Sequence, residues 1–209
     1  VRDHAGPAGH DVALLLAGDL QRTPNGLDCL ANDIEIGPQV QEAGHDHISG
    51  GSGARIEEED FEGSDGLSIA KALYRVLKDL SFDLVMTGVQ SSDDGWGQVG
   101  VYLAGMLDLP YATLVIKIEK NDEGIIVNRE LEANTQERLE MTLPAVLTIQ
   151  TGINTPRYVS IMGIQKVRKV AINEVSADDL GLDSEDIGRE GSIFSSLHFS
   201  MPRAGEGAE

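Results

Sequence analysis

Glycines, hydroxyls, acids and one indole crowd a single stretch of this chain: Gly88-Val89-Gln90-Ser91-Ser92-Asp93-Asp94-Gly95-Trp96-Gly97-Gln98-Val99-Gly100. Glycines at 88, 95, 97 and 100 permit positive φ and let backbone approach a ligand closely. Ser91 and Ser92 add hydroxyl donors, and a helix opening near Gly97 or Gln98 presents free N–H groups and a positive dipole end to an anion. Such a loop can cradle a nucleotide phosphate, and it can equally be a structural turn with a helix cap. It has neither the Gly-Lys-Ser/Thr of a Walker loop nor the glycine spacing of the dinucleotide fingerprint. Asp93 and Asp94 repel a phosphate if aimed at it, so at least one is expected to cap the helix or to accept from backbone N–H groups or a ligand hydroxyl. Trp96 can stack on a base or a flavin; in a glycine-flanked loop it more often plugs a helix–sheet junction or packs on a partner.

The flanking elements must place that loop. Ser64 reads as an N-cap, and Ile69, Leu73, Val76, Leu77 and Leu80 recur at helical spacing up to Ser81. The short apolar run at residues 82–87 then suits a buried parallel strand ending at Gly88. Residues 98–107 read as a helix with Val99, Leu103, Met106 and Leu107 on one side, stopped by Leu109-Pro110. Strands follow at 111–118, 125–131, 138–143 and 145–150, with polar turns at 121–124 and 132–134. Consecutive strands on short turns imply an antiparallel extension of a sheet that began as parallel. A short helix opening at Pro156, a strand at 167–175 and an acidic, glycine-rich tail from Ser176 complete the pattern. In an open α/β sheet, ligands bind beyond the carboxyl ends of the parallel strands, which is where the 88–100 loop falls.

Composition narrows the rest. Against 16 Lys+Arg stand 35 Asp+Glu, a formal charge of -19 that repels phosphate backbones and anionic lipids and so argues against nucleic acid as a partner. The acidity fits a solvated surface, including that of a salt-tolerant organism, or an acidic docking surface; charge does not separate them. Cys29 is the only cysteine, which rules out a disulfide or a cysteine-based metal cluster confined to this chain and fits a reducing, cytoplasmic setting. No apolar run approaches the roughly 20 residues of a membrane span, and residues 12–17 lack the length and basic flank of a signal peptide. His45-Asp46-His47 lies among glycine and polar residues and reads as an exposed loop, not a metal site. Ser49-Gly50-Gly51-Ser52-Gly53 is similar to the pyrophosphate loop of adenylating enzymes, but follows no apolar strand and lacks the expected acid, so a flexible linker is the simpler reading. Nucleophilic catalysis has no support: Cys29 has no patterned histidine, and Ser91-Ser92 has no adjacent base. A stand-alone adenine-nucleotide module, of the universal stress type, is the competing class. It is expected to end in a glycine-rich phosphate loop and a last strand, where this chain has antiparallel strands and an acidic tail.

Three segments carry a family resemblance. The strand at 82–85 with Gly88-x-Gln90, Asp93-Asp94 and Gln98-x-Gly100 resembles the AMP loop of electron transfer flavoprotein beta subunits. Val127-x-Arg129, Glu132, Glu137, Leu139 and Pro144-Ala145-Val146-Leu147-Thr148 are similar to the family signature, departing at Ala133 and Asn134, where Gly or Asp is usual. Asn154-x-Pro156-Arg157-Tyr158, then Ile161, Ile164 and Lys166-x-Arg168-Lys169, resembles the loop that grips dehydrogenases, with Ile161 at the anchor position and Met162 where some members have Pro. Asp179-Leu180-Gly181-Leu182 matches the marker that introduces the C-terminal arm. The likeness runs over residues 56–202; residues 1–54 show no counterpart of the family's first strand and are expected to be an atypical segment of uncertain order.

The resemblance implies an α/β fold with a mostly parallel, Rossmann-like sheet of the adenine nucleotide alpha hydrolase-like kind, an antiparallel extension and a C-terminal arm. It implies a nucleotide-binding domain at 55–175 and an arm at 176–209 contacting an alpha subunit. Gly88 to Val99 would hold AMP, or a second FAD as in electron-bifurcating relatives, while the alpha subunit holds most of the FAD. Arg157, Tyr158, Ile161, Met162 and Ile164 would meet acyl-CoA or other flavin dehydrogenases, with a quinone oxidoreductase as acceptor. The chain itself would be an electron-carrier subunit without a catalytic residue, a metal or a membrane insertion.

Overall fold

A computed structural model of the chain describes residues 14–17, 21–23, 26–28, 53–56, 61–80, 82–91, 95–154, 161, 162, 165 and 172–194. Its centre is a six-stranded sheet ordered β1-β5-β9-β6-β7-β8, with β1 Leu14–Ala17, β5 Leu84–Gly88, β6 Tyr111–Lys120, β7 Ile125–Glu130, β8 Gln136–Met141 and β9 Ala145–Ile149. Two small ladders accompany it: β2 Gln21–Thr23 with β3 Gly26–Asp28, antiparallel, and β4 Gly53–Ile56 with β10 Ile172–Val175, parallel. β5 and β6 both run parallel to β9, whereas β1–β5, β6–β7 and β7–β8 are antiparallel. The expectation of a mostly parallel sheet is therefore corrected to a mixed one. The cause lies in the connections. β5 reaches β6 through a helical crossover, which permits parallel strands, while the short turns between β6, β7 and β8 permit only antiparallel ones.

The helix expected from 64 to 81 is α1, Gly66–Leu77, and the cap is Asp65, not Ser64. Asp65 Oδ1 accepts from Leu67 N at 3.1 Å and Ser68 N at 3.0 Å, which satisfies two of the orphan donors of the first turn. Ser64 serves another purpose, accepting from Gly188 N at 2.8 Å. Ile69, Leu73 and Leu77 point inward with Ala72, and they meet Val85, Val146, Leu103 and Ala104. The helix α2, Val99–Leu107, ends where Asp108 turns left-handed at φ 54, ahead of Pro110. On the opposite sheet face Leu84, Ala145 and Leu147 join Ala112, Val115, Ile125 and Val127 in a second core. Period-2 alternation accounts for the division: Val85 opposes Val146 toward the helices, while Leu84 opposes Ala145 toward the other side.

β6 changes partners along its length. Its register shifts between Ala112 and Val115 against β9, and again between Val115 and Lys117 against β7. Leu114 sits at φ 56 in that bend, and its N–H donates to Thr148 Oγ1 at 3.2 Å. Such bulges turn a strand and sharpen its twist. The 132–134 turn is a short 3₁₀ segment in which Ala133 and Asn134 both have positive φ, 57 and 58. Left-handed backbone costs an alanine roughly 1–2 kcal/mol, so this turn holds Ala133 in a strained conformation.

The tail from Ser176 returns to the domain. Ala177, Leu182 and Ile187 enter the core beneath α1, and α3, Gly188–Gly191, follows. Polar contacts hold it there: Ser68 Oγ donates to Gly191 O at 3.2 Å, Lys71 pairs with Asp186 at 3.1 Å, and Asp65 Oδ2 accepts from Ile193 N at 2.8 Å and Phe194 N at 3.2 Å. β4 straddles the 54/55 boundary read from composition. No helix among the described residues is long and apolar enough to cross a membrane.

Asp65 is 2% exposed. Burial pushes its carboxyl up, but the N–H groups of Ser68, Phe194 and Ile193, with the Ser68 hydroxyl, outweigh burial and hold it below its ordinary value. The unfolded chain therefore binds this proton more readily than the folded one. Asp65 contributes stability that is fully present above the ordinary value of 3.8 and is lost as pH falls through the lower folded pKa. Asp65→Ala is expected to cost roughly 2–3 kcal/mol at neutral pH, from the lost cap and the stranded arm amides. Urea unfolding followed from pH 7 to pH 3 should show the gap between wild type and variant shrink only at the acid end.

Candidate functional site

The loop after β5 leaves the sheet at the carboxyl end of a parallel strand. Gly88 pairs there with Ile149, so the segments following β5 and β9 depart side by side. Of the twelve residues expected to hold nucleotide, Gly88, Val89, Gln90, Ser91, Gly95, Trp96, Gly97, Gln98 and Val99 are described, and Ser92, Asp93 and Asp94 lie outside the described residues. Gly95 and Gly97 have φ of 65 and 60, conformations that a side chain would strain. Among the described residues a Cβ on Gly88 or Gly95 would meet nothing within 4 Å. Gly95 N donates to Ser91 Oγ at 3.3 Å.

α2 begins at this loop with its donors uncommitted to a side chain. Gln98 occupies the cap position and makes no side-chain cap bond, and the first turn contains no acid. Among the described residues no side chain caps these N–H groups, and a helix start of this kind suits an anion. The helix is pressed onto the sheet through Gly100, where a Cβ would lie 2.5 Å from Thr87 Oγ1 and 2.6 Å from Thr148 Cγ2. Both threonines are buried, and Thr87 Oγ1 donates to Gly88 O at 3.0 Å. Thr148 closes the Pro144-Ala145-Val146-Leu147-Thr148 segment read from the sequence, whereas Thr87, immediately before Gly88, belonged to none of the motifs.

Trp96 does not stack into open space. Its ring lies 5.8 Å from that of Phe194 at 35°, so the tail forms one wall of the loop. Its Nε1 is buried without a hydrogen-bond partner among the described residues, a cost of about 1–3 kcal/mol if nothing accepts from it. A Cβ on Gly66 would lie 3.6 Å from Trp96 Cβ and 3.5 Å from Gln98 Cβ, which places the start of α1 against the loop as well. Glycine backbone, a helix start without a side-chain cap and an orphaned indole N–H fit an anionic, hydrogen-bond-accepting ligand. A cavity of about 470 Å³ lined by Val101, Ala104, Gly105 and residues 108–111 lies at the far end of α2, away from the loop, and has no convergent polar donors.

Of the expected docking residues, Ile161 and Met162 are helical and 75% and 81% exposed. Arg157, Tyr158 and Ile164 lie outside the described residues, as do Cys29 and His45-Asp46-His47. Among the described residues no group of three or more His, Cys, Asp or Glu is placed to hold a metal.

Gly100→Ala should be poorly tolerated, because its methyl would collide with the side chains of Thr87 and Thr148 in a packed helix–sheet junction. A loss of about 1–3 kcal/mol in chemical unfolding is expected. Gly105→Ala, on the open side of the same helix where a Cβ meets nothing within 4 Å, should be neutral or slightly stabilising.

Comparison with known proteins agrees with these features. A family model described as the electron transfer flavoprotein domain matches residues 36–180. That match begins ahead of the likeness read from sequence motifs, so the segment before residue 55 is only partly without counterpart. The chain is 34% identical over 177 residues to electron transfer flavoprotein subunit beta of Methylophilus methylotrophus, covering 82% of this chain and 67% of the relative. With the Bacillus subtilis subunit beta it is 41% identical over 129 residues, 62% of this chain and 50% of the relative. With the Bos taurus subunit beta it is 36% identical over 117 residues, 56% and 46%. The chain thus spans from under half to two thirds of these relatives' length. With the matched segment containing the β5 loop, α2 and the antiparallel extension, the chain belongs to the electron transfer flavoprotein domain family, where its relatives are beta subunits.

Proposed function

We propose that this chain is the beta subunit of a heterodimeric electron transfer flavoprotein, which binds AMP in the loop between β5 and α2 and meets dehydrogenases through the segment around Ile161. The observation that carries the reading is the start of α2, whose cap residue makes no side-chain bond and whose first turn contains no acid, next to glycine backbone that among the described residues has no neighbour where a side chain would stand. An adenylate phosphate would lie across Gly95, Gly97 and the α2 N–H groups, and the orphaned Trp96 Nε1 would find an acceptor. Gly88 and Gly95 would border the phosphate without side chains, so the backbone itself would form the cradle.

The alpha subunit would hold most of the FAD, which supplies the redox chemistry when bound. Residues of this chain orient and dock, and none is required as acid, base or nucleophile. Ile161 and Met162 present exposed apolar surface, a fit for the apolar contact of a transient partner such as an acyl-CoA or other flavin dehydrogenase. A quinone oxidoreductase is the proposed acceptor, and a cytoplasmic location the proposed setting.

Co-expression with the alpha subunit, gentle denaturation and identification of the released nucleotides test the reading. AMP beside FAD supports it, two FAD per heterodimer would indicate a bifurcating relative, and a colourless pair without adenine compounds would overturn it. Gly97→Val should strip the nucleotide, because it forces a β-branched residue to a φ of 60; full AMP occupancy in that variant would move the site elsewhere. Ile161→Ala should slow electron uptake from the dehydrogenase roughly tenfold while flavin content stays at wild-type level, as expected for the loss of a docking anchor.

A further inference from the structure

One carboxylate ties three segments together. Asp65 caps α1 through Leu67 N and Ser68 N and, on its other oxygen, accepts from Ile193 N and Phe194 N. Asp65 N itself donates to Ser192 Oγ at 2.8 Å, which in turn donates to Gly188 O at 2.6 Å. Phe194 is thereby held by its backbone, and its ring carries that restraint to Trp96. From the other side the start of α1 faces Trp96 and Gln98, where a Cβ added at Gly66 would come into ordinary contact with both.

Trp96 Nε1 has no partner among the described residues, so packing rather than a hydrogen bond holds the indole. The bond from Gly95 N to Ser91 Oγ is long, at 3.3 Å, and exposed. A loop rich in glycine loses much conformational entropy on ordering, and outside contacts must offset that cost.

We propose that residues 188–194 position the loop that opens α2: Asp65 fixes the backbone of Phe194, Phe194 fixes Trp96, and the tail and the loop order as one unit. The coupling is a property of the chain whichever ligand the loop holds, so it goes beyond the nucleotide reading. Because such coupling is reciprocal, loosening either segment loosens the other. Phe194 and Asp65 are positioning residues here; neither is placed to touch a ligand.

Amide hydrogen exchange on the full chain without added nucleotide tests this. Phe194→Ala should speed exchange at residues 95–100 by roughly two- to tenfold, the equivalent of one lost aromatic pair. β7 and β9 should keep wild-type rates. Phe194→Tyr, which retains the ring, should restore protection, and Ile193→Ala, which shortens the more exposed neighbour, should leave the loop unchanged. In the reverse direction, Trp96→Leu should speed exchange at the Ile193 and Phe194 amides. The proposal is overturned if Phe194→Ala frees the tail while residues 95–100 keep wild-type exchange, if Ile193→Ala matches it, or if β7 and β9 accelerate equally. AMP binding measured on the same variants addresses the nucleotide reading separately, since a chain that binds no AMP can still show the exchange pattern.

Discussion

The close approach of α2 to the sheet at Gly100 is the constraint on which the candidate site rests. With Thr87 and Thr148 directly beneath, no side chain fits between helix and strands, and the first turn of α2 is driven down to the ends of β5 and β9. That depth brings the first turn of α2 against Thr87, the residue before Gly88. The same contact also serves the sheet. Thr148 accepts from Leu114 N with its hydroxyl and meets the helix with its methyl, so one residue anchors both the helix and the bend in β6.

From that bend the antiparallel extension follows. β6 is parallel to β9 at its start and antiparallel to β7 further on, and the change is made by two register shifts around Val115. The extension then pairs Arg129 with Glu137 across β7 and β8 at 2.6 Å, a half-buried pair that supports the register of the two strands. Val127 and Ile125 face the second core. A single chain thus builds a parallel centre, where the segments after β5 and β9 leave at one end, and an antiparallel flank beside it.

The tail plays a part that its composition does not suggest. Ser176 and Asp179 cap each other's backbone, Gly181 turns at φ 63, and Leu182 then drops into the core under α1. Residues 176–194 are thus built into the domain rather than trailing from it, while Ile193 and Phe194 remain partly exposed, at 71% and 49%. Asp65 can hold this segment because its charge is satisfied by four backbone donors, which compensates for burying it.

The amino-acid sequence by itself determined the local elements and the family: helical spacing in 69–77, strand alternation in the extension, the glycine spacing of the 88–100 loop and the motifs shared with electron transfer flavoprotein beta subunits. These signals depend on near neighbours, where period and turn chemistry are decisive. Only the tertiary structure decided that Asp65 and not Ser64 caps α1, that β1 runs against β5, and that Trp96 rests on Phe194. Ser64 and Asp65 are both good caps in isolation, and the choice went to the one whose second oxygen meets the returning tail. Strand direction at an edge leaves no mark on a period-2 pattern. The partner of a lone tryptophan far upstream of the tail is set by how the chain folds back, which no local spacing encodes.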